Sequence, residues 1–300
     1  MKVLITGGTG LIGVHAVNAL HTAGIDVVTC GRNPTSIIGL SGISHRSGDL
    51  LDAAFRKDVL DTEKPDGLLH LAWQTKHGHF WNAPDNHDWH DASRDLIDRF
   101  LQSGGKRVVI AGSCAEYDWQ NIPANTKLAE DAACHPATLY GQQKLRLFNH
   151  CHDLIKAGAS IAWGRLFLLL GPHENPARFI PAITTKLLAG ETADMSSGQQ
   201  IRDFMHVKDA GRAFAALMQS DATDAINIAS SDGHSLLEIA NRLQHKIGRG
   251  TINPGGFPDR PDDPPYLVAN TERLSQTVGF TANYDLDAAL DDCIDWWATQ

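Results

Sequence analysis

The sequence has no long apolar segment. Met1 and Lys2 are followed by only three apolar residues, 3–5, before a Thr-Gly-Gly turn, which is too short for the apolar region of a signal peptide. The longest later apolar run, around 161–170, is interrupted by Arg165 and is too short to cross a bilayer. We therefore expect a cytoplasmic protein with no membrane partner.

Positive charge is also scarce. The chain carries 26 Lys and Arg against 35 Asp and Glu, a formal net charge of −9, and it has no local basic cluster. This balance argues against a nucleic acid or an anionic membrane as partner. With 300 residues, 42% of them hydrophobic and 20% charged, the chain is expected to form one large domain or two coupled ones. We expect its partners to be small molecules.

Cysteines are few, and none are spaced as C-x-x-C. Five cysteines leave one unpaired in any disulfide scheme, so we expect reduced thiols. Fifteen histidines suggest a metal site. However, the pairs 134–135 and 151–152 and the histidines at 77 and 79 lack the spacing of zinc ligands, and we expect no metal site.

Apolar runs alternate with amphipathic stretches through the first half of the chain. The pattern predicts strands at 3–6, 25–30, 67–72, 107–111, 160–166 and 225–229. It predicts helices at 11–23, 89–103, 138–157, 181–189 and 204–220. This alternation is typical of an α/β protein with a doubly wound parallel sheet, the Rossmann fold.

The character of the sequence changes after Arg165, where Gly-Pro, Asn-Pro and Pro/Asp-rich stretches become frequent. We interpret this part as a smaller α/β lobe that binds substrate. The predicted dinucleotide-binding domain comprises 1–165 and 204–222, and the predicted substrate lobe comprises 166–203 and 223–300.

Three glycines, at 7, 10 and 13, lie between the first predicted strand and the first predicted helix. Free N–H groups and the helix dipole favour a pyrophosphate at such a helix start, and a side chain on the turn would keep the backbone away from it. The turn therefore predicts a dinucleotide cofactor. Its candidate contacts are Gly7, Thr9, Gly10, Leu11, Ile12 and Gly13.

The spacing T-G-x-x-G-x-x-G at 6–13 and the run R-D-F-M-H-V-K-D at 202–209 resemble the extended short-chain dehydrogenase/reductase family. The likeness is to its branch of nucleotide-sugar epimerases, dehydratases and ketoreductases, and it runs the length of the chain. It implies an adenine-contacting pair at Asp49 and Leu50 and a turn beneath the cofactor at Leu71, Ala72 and Trp73.

The end of the second strand indicates which dinucleotide is used. An acidic residue there bonds the adenosine 2′-hydroxyl and repels a 2′-phosphate, which selects NAD. This chain has Gly31 at that position, where related NAD-retaining epimerases carry Asp, and Arg32 follows it. Arg32 could pair with a 2′-phosphate. We therefore predict NADP, with NAD as the alternative.

Tyr140 and Lys144 are four residues apart on a predicted helix, hence on one face. A cation near a phenol lowers its pKa, so the hydroxyl can exchange a proton at neutral pH. In the resembled family this lysine also bonds the nicotinamide ribose. Ser113 matches the family's Ser or Thr that hydrogen-bonds the reacting oxygen, and it follows a predicted strand. We predict Ser113, Tyr140 and Lys144 as the catalytic residues.

The residues after Ser113 restrict the reaction. Family 4,6-dehydratases place Asp and Glu there, whereas this chain has Cys114 and Ala115, and Glu116 comes one position too late. Our first interpretation is an NADPH-dependent reductase of a nucleotide-activated 4-keto-(deoxy)sugar. An NAD-retaining nucleotide-sugar 4-epimerase is the alternative. A non-catalytic dinucleotide-binding protein is the third, and the complete Ser, Tyr and Lys set argues against it.

Arginines are the expected partners of a substrate diphosphate, because the guanidinium donates paired hydrogen bonds to phosphate. Arg202 and Arg260 resemble family positions with this role, and Arg178 is a weaker third candidate. Leu168 replaces a diphosphate-contacting Asn of the family. The aromatic loop 76–90 could line the sugar pocket or be a packed surface loop. The resemblance also implies a homodimer formed through helices 89–103 and 138–157.

Overall fold

Strands and helices alternate along the computed structural model, which describes residues 1–33, 42–123, 125–261 and 263–300. The strands are β1 (Lys2–Thr6), β2 (Asp26–Gly31), β3 (Ser44–Ser47), β4 (Gly67–His70), β5 (Arg107–Ser113), β6 (Ile161–Leu166), β7 (Leu168–Leu170), β8 (Thr192–Met195), β9 (Ile201–His206), β10 (Asp224–Ile228), β11 (Gly233–Ser235), β12 (Thr251–Pro254) and β13 (Tyr266–Leu267). The helices are α1 (Gly13–Thr22), α2 (Ala53–Glu63), α3 (Asn86–Gln102), α4 (Leu139–Lys156), α5 (Phe179–Leu188), α6 (Val207–Gln219), α7 (Leu236–Ile247), α8 (Glu272–Gln276) and α9 (Leu286–Trp297).

The larger sheet has seven strands in the order β10-β6-β5-β4-β1-β2-β3, and every neighbouring pair is parallel. Helices α1 and α6 pack on one face, and α2, α3 and α4 pack on the other. The strand order reverses between β1 and β4, and ligands of doubly wound sheets bind in the crevice outside the carboxyl ends at this point. The predicted Rossmann fold is confirmed.

A second, smaller assembly follows β6. Strands β11, β9 and β13 form a sheet with β7 paired to β9, and β12 pairs with β8. Helices α5, α7 and α9 bury a separate apolar core with these strands. Strand β10 lies within the predicted segment 223–300, yet it pairs with β6 on the edge of the large sheet. The division into two functional domains stays a prediction.

The segment 204–220 corrects one sequence expectation. We predicted a single helix there, but the chain continues as β9 to His206, and α6 begins at Val207. Residues 204–206 pair with β7, and residues 201–203 of the same strand pair with β11 and β13, so sheet hydrogen bonds outweigh local helix propensity. The His206 side chain then caps the helix by accepting a bond from the Lys208 N–H at 3.2 Å.

Several elements fall outside the ranges that we predicted from the sequence, among them β3, α2 and α7. Helix α7 carried readable signals, because Ser235 caps its start and Gly248 ends it at a φ of 73°. Strand β3 has only four residues, none fully buried, and it lacks an apolar pattern.

Within the described ranges, no helix is both long and apolar enough to span a bilayer. All five cysteines are free thiols. Among these same residues, no group of three or more His, Cys, Asp or Glu side chains is arranged to hold a metal ion.

Candidate active site

The glycine turn brings the backbone of three segments into close contact. A Cβ on Gly7, whose φ is 68°, would lie 2.7 Å from the Ala72 nitrogen, and one on Gly13 would lie 2.0 Å from the Gly7 carbonyl oxygen. Only glycine fits at these positions. Helix α1 starts at this turn with no side-chain cap and no acidic residue in its first turn. The residues present therefore fit a dinucleotide pyrophosphate, which would bond the exposed N–H groups.

A cavity of about 480 Å³ extends from this turn along the carboxyl ends of the strands. Sixteen of the predicted site residues line it: Gly7, Thr9, Gly10, Leu11, Ile12, Gly13, Gly31, Arg32, Asp49, Leu50, Leu71, Ala72, Trp73, Ser113, Tyr140 and Arg178. The structure thus brings together the candidates from the glycine turn, the second strand and helix α4. The volume is in the range of small-molecule sites.

Gly31 and Arg32 form one end of the cavity. Among the residues that the structure describes, none has an atom within 4 Å of a Cβ built on Gly31, apart from its chain neighbours, although its φ of 156° is unfavourable for other residues. Arg32 is exposed there. His45 braces the strand end, because its ring bonds Thr29 Oγ1 at 2.9 Å and the Gly31 carbonyl at 3.1 Å. With respect to the described part of the chain, this end is open and carries a cation.

Ser113 ends β5, and hydrogen bonds to Ala115 and Glu116 hold it in place. Its N–H donates to Glu116 Oε1 at 2.7 Å, and its Oγ accepts from the Ala115 N–H at 3.1 Å. Its side chain and the Tyr140 phenol line the same cavity. Burial raises the pKa of Tyr140, and the neighbouring Ser113 hydroxyl and the charge of Arg178 oppose that rise. The phenol and the hydroxyl therefore lie at one cavity.

Glu116 is fully buried and points away from the cavity. Its carboxylate accepts bonds from Trp163 Nε1 at 3.0 Å and from Arg165 Nε at 2.8 Å. It is not among the cavity residues. No carboxylate of the dehydratase kind therefore faces the reacting centre from this segment.

Lys144 lies beneath the cavity wall. Its side chain is buried, its Nζ donates to the Ala111 carbonyl at 2.8 Å, and the same atom is 3.8 Å from the centre of the Trp73 ring. Burial lowers the pKa of Lys144 to about 7, and the charge of Glu116 opposes that change. The spacing of Tyr140 and Lys144 predicts that they share one face of α4. It does not indicate that the Trp73 indole lies between Lys144 and the cavity.

Aromatic rings enclose Tyr140. Phe80 and Trp81 have ring centroids 5.0 and 5.9 Å from the Tyr140 ring, and Trp119 lies 6.0 Å beyond Trp81. All three line the cavity. Part of the loop 76–90 therefore belongs to the pocket. Trp119 was not identified from the sequence, because no local pattern connects it to this loop.

The three predicted arginines lie in different places. Arg178 lines the cavity, with Glu174 Oε1 3.8 Å from its Nε. Arg202 is buried beside a separate cavity of about 190 Å³, and its Nη2 is 2.6 Å from Asp263 Oδ1. Arg260 is exposed. The structure thus places the arginine that we ranked third at the cavity.

A parallel sheet with a glycine turn and a Ser-Tyr pair at one cavity defines a dinucleotide-dependent enzyme of the short-chain dehydrogenase/reductase type. The model of the NAD dependent epimerase/dehydratase family matches residues 3–229, and the chain belongs to this family. It is an NAD(P)-dependent oxidoreductase of the extended type.

Known proteins resemble the chain over nearly its whole length. UDP-glucose 4-epimerase from Lacticaseibacillus casei is 28% identical over 332 aligned positions, covering 99% of this chain and 96% of that protein. The solved structure of MoeE5 in complex with UDP-glucuronic acid and NAD is 27% identical, with a TM-score of 0.84 and coverage of 99% and 98%. UDP-glucose 4-epimerase from Thermotoga maritima, solved with UDP-glucose, has a TM-score of 0.88 at 18% identity and covers 100% and 99%.

Proposed function

We propose that this enzyme inverts C4 of a nucleoside-diphosphate sugar, so the interpretation that we ranked second now comes first. The observation that carries the proposal is the Ser113–Tyr140 pair, buried at a cavity that begins at the dinucleotide turn. The similarity to UDP-glucose 4-epimerases supports it. The position of Glu116, which is engaged by Arg165, argues against dehydration.

The protein groups would act mainly on one proton. Tyr140 would take the proton of the C4 hydroxyl while the C4–O bond of the sugar becomes a carbonyl. It would return the proton to that oxygen in the reverse step. The Ser113 hydroxyl would hold the same oxygen by a hydrogen bond. A nicotinamide cofactor, when bound, accepts and returns the hydride. The apolar wall around Tyr140 would exclude water from this exchange.

The other end of the substrate would be held by Arg178. It is the one predicted diphosphate-binding arginine that lines the 480 Å³ cavity, and its guanidinium can donate two parallel bonds to phosphate. Arg178→Met should therefore raise KM for the sugar nucleotide by about ten- to a hundredfold. Arg260→Met is the matched control, and a larger effect there would assign the diphosphate to the other arginine.

A 4-keto-sugar reductase that uses NADPH is the second candidate, because the open Gly31 end with Arg32 suits a 2′-phosphate. Bound nucleotide separates the two candidates. Purified protein that retains NAD and interconverts UDP-glucose and UDP-galactose, or their N-acetyl or uronic forms, supports the epimerase. Exchangeable NADP, with consumption of NADPH on a 4-keto-sugar nucleotide, supports the reductase.

Tyr140→Phe is the control for both assays. Turnover that persists in this variant contradicts the proposed chemistry. Bound dinucleotide without turnover on any of these sugars would favour the third interpretation, a non-catalytic binding protein.

We also propose a homodimer through α3 and α4, on the basis of the family resemblance alone. The cytoplasmic location expected from the sequence stays a prediction.

A further inference from the structure

A buried histidine lies beneath the two chain segments that flank the dinucleotide turn. His70 ends β4, and Thr6 ends β1 as its direct partner in the parallel pairing of these strands. Both side chains are buried. The residues that follow them, Gly7 and Leu71, line the cavity, whereas Thr6 and His70 are not part of its wall. Any effect of His70 on a bound ligand therefore has to pass through its neighbours.

The Thr6 hydroxyl continues the β1–β4 ladder beyond the end of the strands. The Leu71 N–H donates to the Thr6 carbonyl at 3.1 Å, and the next N–H, that of Ala72, donates to Thr6 Oγ1 at 3.3 Å. Ala72 is also the residue on which Gly7 packs, because a Cβ on Gly7 would lie 2.7 Å from its nitrogen. The hydroxyl thus fixes the separation between the glycine turn and the segment that follows β4.

The ring of His70 connects this hydroxyl to α3. Thr6 Oγ1 is 2.7 Å from His70 Nδ1, and His70 Nε2 is 2.8 Å from Ser93 Oγ. Burial and the charge of Lys144 lower the pKa of His70 to about 3, so the ring is neutral and carries one proton. Donation from Thr6 to Nδ1 leaves that proton on Nε2, which then donates to Ser93. One tautomer therefore satisfies both ring nitrogens.

We propose that His70 is a positioning residue for dinucleotide binding, whose unprotonated Nδ1 takes the Thr6 hydrogen bond and so directs the Thr6 oxygen to the Ala72 N–H. The bond from Nε2 to Ser93 maintains this tautomer. The turn and the segment after β4 are then already at the separation that a pyrophosphate requires, and binding does not have to order them. The inference depends on dinucleotide binding and not on inversion at C4.

Two substitutions each keep one half of the imidazole. His70→Asn places an amide oxygen near the position of Nδ1, so it retains the acceptor for Thr6 but does not reach Ser93. His70→Gln extends further, so it reaches Ser93 but removes the acceptor for Thr6. His70→Leu removes both bonds. Urea denaturation of each variant measures its loss of stability, and if His70→Leu does not fold, the Asn and Gln variants carry the test.

The first readout is the affinity for NAD and for NADP, measured by calorimetry, because the glycine turn would hold the pyrophosphate that they share. We expect His70→Asn to stay within about twofold of the wild type, and His70→Gln and His70→Leu to bind about five- to tenfold more weakly. Thr6→Val should weaken binding equally, and combining it with His70→Leu should add little, because both remove the same bond. Thr184→Val, which removes a buried hydroxyl of α5 outside the cavity, is the matched control and should change neither affinity.

The second readout is the tautomer itself. Nitrogen NMR of protein with labelled histidine distinguishes protonated from unprotonated ring nitrogens, and the signals that vanish in His70→Asn are those of His70. We expect a proton on Nε2 and none on Nδ1, both at neutral pH and at about pH 5. A proton on Nδ1, equal affinities in His70→Asn and His70→Gln, or an effect of Thr184→Val as large as that of Thr6→Val would overturn the inference. A wild type that shows the expected tautomer and affinities but converts no sugar nucleotide contradicts only the proposed function.

Discussion

Glu116 and Arg165 form an ion pair of 2.8 Å that is closed to solvent and lies one hydrogen bond from Ser113. Glu116 accepts the Ser113 N–H with one oxygen and the Arg165 Nε–H with the other. The pair therefore links the position of the candidate catalytic serine to the interior of the sheet.

Removing one partner of this pair should be costly. Arg165→Met leaves the Glu116 carboxylate buried without its cation, and we expect a loss of about 3–5 kcal/mol in the free energy of unfolding. Urea denaturation measures it. Lys57→Met, which breaks the exposed pair with Asp61, is the control and should change little. Equal losses in the two variants would contradict the assignment.

Tyr140→Phe should reduce turnover by roughly 10²–10⁴-fold, the usual contribution of a general acid–base group. Cofactor affinity should stay close to that of the wild type, because the aromatic ring and its neighbours are retained. Lys144→Ala should lower both turnover and cofactor affinity. Steady-state rates and calorimetric titration with the dinucleotide check these outcomes, and near-normal turnover in Tyr140→Phe would disprove the role of the phenol.

Cofactor preference is predicted from Gly31 and Arg32. The reductase alternative predicts that NADP(H) binds at least about tenfold more tightly than NAD(H), and that Arg32→Ala removes most of that difference by losing a charge-assisted bond. Gly31→Asp combined with Arg32→Asn should reverse the order. The φ of 156° at Gly31 means that the double variant must also be checked for stability. Equal affinities in the wild type, or a preference for NAD, would favour the epimerase.

Glu174 predicts a pH-dependent stability. Burial raises its pKa to about 8, against the attraction of Arg178. Between about pH 4.5 and pH 8 the folded state therefore binds more protons than the unfolded state. The contribution of Glu174 to the free energy of unfolding is complete at low pH and is lost as the pH rises through 8. Glu174→Gln should flatten that slope, as urea denaturation at several pH values would show. An unchanged slope would mean that Glu174 is ionised in the folded protein.

The proposed homodimer can be tested by light scattering. We expect a mass of two chains that falls on dilution or in variants of α3 and α4. Arg94→Glu on α3 is suitable, because its side chain is half exposed. A monomer mass that does not depend on concentration would exclude this assembly.

The elements that could be predicted are those specified by nearby residues. The glycine turn depends on spacing within eight positions, and the pairing of Tyr140 with Lys144 depends on one helical turn. Helix α7 had a capping serine and a terminal glycine, so its omission reflects a missed signal and not a missing one.

Other features depend on contacts between distant segments. The surroundings of Lys144 on α4 bring together Trp73 from the loop after β4 and Ala111 from β5, and no local pattern encodes that meeting. The same applies to β9, where pairing with three strands decides the conformation of 201–206. Likewise, the fold of the chain after β6 decides which of Arg178, Arg202 and Arg260 lies at the cavity.

The connections between the two sheets leave little freedom for a hinge. Strand β9 passes into α6 at His206 with no linker, and Phe167 alone separates β6 from β7. The Asp203 carboxylate accepts the N–H groups of Ser230 and Ser231, which fixes the third connection. Helix α6 in turn lies so close to α1 that a Cβ on Gly211 would be 2.8 Å from the Ala16 nitrogen. A displacement of the small sheet would thus be transmitted directly to the helix behind the glycine turn.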